Sequence, residues 1–179
     1  MTQAQPRSRP RKRVVLAVGA ALLCLTSAAL SACTADLGSG TADRTGIVPQ
    51  WDDKATPETV GRLMNIELPA KATDLRAALQ NGFQDDGLLL TFTLPTSEAE
   101  AFLEQLHPEA ELRQRDEPRE NVVKPTAPFS HLGHPEPESL PDIREGQVCA
   151  PCSGDLNSLT VAVYRLDDSD SRVYLRGVD

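Results

Sequence analysis

Leu88, Leu90, Phe92 and Leu94 fill every second position after Gly87, the spacing that gathers apolar side chains on one side of a β-strand. A weaker alternation over 72–79 puts Leu75, Ala77 and Leu79 together. Between the two runs, Asn81-Gly82 and Asp86-Gly87 supply residues that tolerate positive φ. The spacing predicts an antiparallel hairpin. Residues 159–166 and 172–178 alternate in the same way around the turn-rich Asp167-Asp168-Ser169-Asp170-Ser171, which predicts a second hairpin. Centred on Ser169, it sets Val163 opposite Leu175 and Val161 opposite Gly177 on one face. Tyr164 then lies opposite Tyr174, and Ala162 opposite Arg176, on the other. The first face is expected to be core and the second wet.

Elsewhere the rhythm changes to that of a helix. Thr56-Pro57-Glu58 combines a cap, a proline for the first helical position and a first-turn acid ahead of Val60, Leu63 and Met64. Ser97 and Glu100 have capping-box spacing, and Ala99, Phe102, Leu103 and Leu106 predict an amphipathic helix over 97–106. From His107 to Gly146, prolines at 108, 118, 125, 128, 135, 137 and 141 predict a long irregular excursion. The fold class expected is α+β, with a small antiparallel sheet built from two hairpins and one or two short helices on one face. It forms a single domain over 51–179 containing the irregular Pro-rich segment 107–146, with Trp51 packing where the chain enters it.

The first residues follow a different pattern. Arg7, Arg9, Arg11, Lys12 and Arg13 precede an uncharged apolar run from Val14 to Leu30, the arrangement of an export signal. The run ends in Leu30-Ser31-Ala32-Cys33. This tetrapeptide resembles the lipobox of bacterial lipoproteins at every position, and in overall pattern the mature chain is similar to actinobacterial lipoproteins. The resemblance implies lipidation of Cys33 with diacylglycerol carrying palmitate-type chains, removal of residues 1–32 as a signal peptide, and residence on the extracytoplasmic face of the cell membrane. Cys24 lacks the same context. Residues 33–50 form a flexible tether whose Thr, Ala, Gly, Ser and Asp content gives it a reach of about 20 Å.

Charge narrows the partners. Five of the 18 basic residues leave with the leader while all 26 acidic ones remain, so the mature chain carries a net charge of −13. That balance argues against nucleic acid and leaves the membrane, through the anchor, together with an envelope protein or a small ligand.

Four groups of residues are candidates for chemistry. Cys149-Ala150-Pro151-Cys152 is expected to form a disulfide in an oxidising compartment, and a thiol-redox role is its alternative. His131 and His134 lie upstream at a spacing that would complete a zinc site with Cys149 and Cys152, although no cofactor is the leading expectation. Tyr164, Tyr174, Arg172 and Arg176 share the outer face of the second hairpin as a candidate ligand-binding patch. Asp85-Asp86 and Asp167-Asp168-Ser169-Asp170 read as turn carboxylates. No G-x-S-x-G elbow, H-E-x-x-H helix or phosphate-cradling glycine loop occurs in the sequence. No catalytic residue is therefore assigned. The function expected is that of a binding or accessory module at the cell envelope, with an envelope enzyme or thiol-redox protein as the alternative.

Overall fold

The computed structural model describes residues 49–120 and 125–179, all within the compact unit Ala42–Asp179. The leader, Cys33 and tether residues 34–48 lie outside the described residues. One antiparallel sheet contains β1 (Gln50–Trp51), β2 (Thr73–Asn81), β3 (Gly87–Pro95), β4 (Arg113–Arg115), β5 (Ile143–Cys149), β6 (Ser158–Arg165) and β7 (Asp170–Val178). Their spatial order is β1-β2-β3-β7-β6-β5-β4. Helices α1 (Pro57–Leu63) and α2 (Thr96–Leu106) complete an α+β fold of the expected class.

Both expected hairpins form. Leu79 pairs with Leu88 and Ala77 with Leu90 in the first. Its loop closes without positive φ at Asn81, Gly82, Asp86 or Gly87. Instead the Asp86 carboxylate accepts from the Gly82 N–H at 2.9 Å, and Asp86 and Asp179 exchange backbone bonds. The second hairpin is centred on Asp168, one residue earlier than expected, so Val163 faces Val173 and Ala162 faces Tyr174. The Asp167 side chain causes this shift: its Oδ1 accepts from the N–H groups of both Ser169 and Asp170 and draws the turn back towards it. The change moves partners by two positions and leaves each side chain on its expected face.

The helices cover one face of the sheet. Val60 of α1, Met64 at its C-terminal cap, and Ala99, Phe102 and Leu103 of α2 pack on Leu90, Phe92, Val161 and Leu175. Thr56 caps α1 as expected, accepting from the Thr59 N–H at 3.2 Å. The Ser97 and Glu100 capping box does not form: α2 starts at Thr96 behind Pro95 with no side-chain cap, and Glu100 pairs with Arg144 instead.

The opposite face departs most from expectation. The segment 107–146 contributes β4, most of β5 and two short 3-10 turns, Phe129–Leu132 and Pro137–Ser139. Residues 125–140 cross this face as a strap and bury Ala127, Phe129 and Leu132 against Leu89, Ala162 and Tyr174. Tyr174 is only 1% exposed, so the face expected to be wet is covered. At Gly87 the strap comes so close that a Cβ would lie 2.6 Å from that of Ala127.

Candidate ligand-binding cleft

Proline and irregular backbone leave the strap with few ladder hydrogen bonds, and arginines of the sheet supply the missing donors. Arg76 donates to the Leu132 carbonyl at 2.8 Å. Arg115 donates to the carbonyls of Pro137 at 2.7 Å and Leu140 at 2.8 Å. Arg176 reaches Glu138 at 2.8 Å and Glu136 at 2.9 Å, with its guanidinium carbon 4.9 Å from the Phe129 ring centroid. The Phe129 and Tyr174 rings meet in a T-shaped contact with centroids 5.1 Å apart.

This placement redraws the expected ligand-binding patch. Tyr174 is buried under the strap and Arg176 is neutralised by it, while Arg172 is bonded within the sheet to Asp74 at 3.1 Å, so these side chains are engaged in the fold and do not form an open patch. Tyr164 is half-buried in the same layer, opposite Arg172. Burial pushes the Tyr174 phenol above its usual range, against the nearby Arg172 charge.

His131 and His134 do not converge with the cysteines. His131 stacks on Trp51, with centroids 3.7 Å apart and planes 5° from parallel, and so fastens the strap to the chain where it enters the domain. His134 is buried beside Tyr174, with Nε2 3.8 Å from the Asp74 carboxylate, too far for a hydrogen bond. Burial first, and Arg172 and Arg76 second, hold its pKa below the usual histidine value. Asp74 itself occupies a left-handed conformation, φ 46°, where the β2 register slips between Thr73 and Arg76. That irregularity turns its carboxylate towards Arg76 and Arg172.

Cys149 and Cys152 are joined by a disulfide and pack against the helix-side core. The four expected zinc ligands are thus split between opposite faces, with both sulfurs engaged in a covalent bond. Among the described residues, no group of three or more His, Cys, Asp or Glu is arranged to hold a metal ion. Ser153-Gly154-Asp155 turns the chain directly into β6, so the disulfide does not sit at the start of a helix as a low-pKa thiol pair would.

Beside the strap, a cleft of about 440 Å³ opens against β4, β5, β6 and β7. Its charged lining consists of Arg113, Arg119 and Arg176 with Glu111, Glu138 and Glu145, three groups of each sign. Arg119 and Arg115 converge on Glu145, with Arg115 Nε at 3.3 Å. Burial alone would raise the Glu145 pKa, but the hydrogen bonds from Arg119 and Arg115 outweigh it and hold the carboxyl below its ordinary value. The same hydrogen bond raises Arg119. Glu138 Oε2, Arg176 Nε and the Tyr174 hydroxyl are buried on this layer without a hydrogen-bond partner among the described residues. The volume falls within the range of small-molecule sites, and the lining suits a ligand that both donates and accepts.

Sequence reasoning missed Asp74, Arg115, Arg119, Glu136, Glu138 and Glu145. The available signal was in the Pro-rich segment itself, where Ala127, Phe129 and Leu132 precede Glu136 and Glu138, an apolar anchor followed by paired acids. Compared with protein families, curated proteins and solved structures, the chain matches none.

Proposed function

We propose that this chain is a membrane-anchored extracytoplasmic lipoprotein whose folded domain is a binding or accessory module at the cell envelope. The observation that carries the proposal is Leu30-Ser31-Ala32-Cys33 closing a cationic and then uncharged apolar leader. The Cys149–Cys152 disulfide is compatible with an oxidising compartment. No helix among the described residues is long and apolar enough to cross a membrane. Attachment in this reading is through acyl chains on Cys33, each buried methylene of which contributes about 0.8 kcal/mol. A cleft lined by balanced charges supports binding as the domain's task.

Cell fractionation tests the address. The native chain enters the membrane fraction without residues 1–32, and Cys33→Ala either keeps its leader or is released from the membrane. A Cys33→Ala chain that is processed at the same bond and stays membrane-bound overturns the proposal.

A further inference from the structure

Within the charged lining of the cleft, four of the six groups already satisfy one another: Arg176 with Glu138, and Arg119 with Glu145. Glu111 and Arg113 are different. Both are exposed, and neither makes a side-chain hydrogen bond or ion pair among the described residues. They stand two positions apart where the chain enters the edge strand β4, and both side chains line the cleft. In extended chain, residues two apart are about 7 Å apart. A negative and a positive group on neighbouring side chains, uncommitted among the described residues, therefore stand at the rim of a cavity large enough for a small molecule.

The chemistry of this rim selects among ligand classes. With equal numbers of guanidinium and carboxylate groups, the cleft gives no net attraction to a simple anion or cation. An apolar ligand would desolvate the two charges that have no partner among the described residues. A neutral sugar gains most from an open aromatic face. Here the Phe129 ring is taken by Arg176 and Tyr174, and Tyr174 is buried. A molecule with one ammonium and one carboxylate meets both of these groups, and a short peptide with free termini is long enough to span two neighbouring side chains.

We infer that the cleft is a receptor site for a short peptide with both termini free, its ammonium held by Glu111 and its carboxylate by Arg113. The inference rests on the binding-module reading and deepens it by naming the ligand class. Arg113 supplies a planar fork matched to a carboxylate, and Glu111 supplies acceptors to the ammonium hydrogens. Glu145, locked by two arginines, and Glu138, locked by Arg176, form a fixed wall behind them.

The experiment is calorimetric titration of the full mature chain, acylated and detergent-solubilised, with dialanine, N-acetyl-dialanine, dialanine amide and glucose. Dialanine binds saturably, each blocked peptide binds at least about tenfold more weakly, and glucose gives no saturation. Arg113→Gln and Glu111→Gln, exposed residues whose replacement leaves the unfolding transition in place, each weaken dialanine about tenfold. The losses are specific: Arg113→Gln adds nothing to the deficit of the amide, and Glu111→Gln adds nothing to that of the acetylated peptide. Absence of saturable dialanine binding at millimolar concentration overturns the inference, as does equal binding of blocked and free peptides. An acylated chain that binds none of the probes refutes the ligand class and leaves the anchor standing. A chain that binds dialanine yet is never acylated does the reverse.

Discussion

Burial of His134, and then the charges of Arg172 and Arg76, favour its neutral form against the partial offset from Asp74. Its folded pKa lies below the ordinary histidine value of about 6.5, so the unfolded chain takes up the proton first as the solution is acidified. Stability is full above that value and falls as the pH drops through it towards the lower folded pKa. Between about pH 7.5 and pH 5.5 carboxylates with ordinary or lowered pKa stay ionised, which isolates histidine. The urea midpoint of the native chain therefore decreases across this interval, and His134→Gln flattens the decrease. An unchanged slope in that variant would contradict the assignment to His134. At Cys149 and Cys152, whose bond closes a short loop across a sequence separation of 3, replacing both by serine costs about 2 kcal/mol in denaturant unfolding and leaves the strap side unchanged.

Element by element, what the alternation encodes was legible and what distant side chains impose was not. Both hairpins, both helices and the helix-side face of the four hairpin strands follow from spacing that a local window contains. The second hairpin's register does not, because the Asp167 carboxylate chooses the turn. The strap escapes such reading altogether. Its stability comes from Arg76, Arg115 and Arg176, donors that lie far from it in sequence, and Pro-rich composition signals only the absence of a ladder. Two variants separate these cases. Thr56→Ala removes a formed cap and costs about 1 kcal/mol, whereas Ser97→Ala, at a capping box that the structure does not use, changes stability by less than about 0.5 kcal/mol. Gly87→Ala forces the strap away from β3 and costs about 1 to 3 kcal/mol. Hydrogen exchange then quickens in residues 125–140 while β6 and β7 keep their protection.

At the scale of the whole molecule, the two faces of one sheet divide the work. The helix side is the larger apolar core, and the strap side is a second, smaller apolar cluster edged by His134, the guanidinium forks and the cleft. Most of this division was foreseeable from the second hairpin, whose outward residues include both tyrosines and two arginines. The covering of that face was not, since nothing local tells an arginine awaiting a strap from one awaiting a ligand. The address, by contrast, depends on four adjacent residues and a leader, and it governs every proposal about partners. Intact mass and N-terminal peptide analysis of the native chain, purified from its own membranes, tests it most directly. The account predicts a first residue of Cys33 bearing a diacylglycerol. A chain that begins elsewhere, or an unmodified Cys33 thiol, would contradict it.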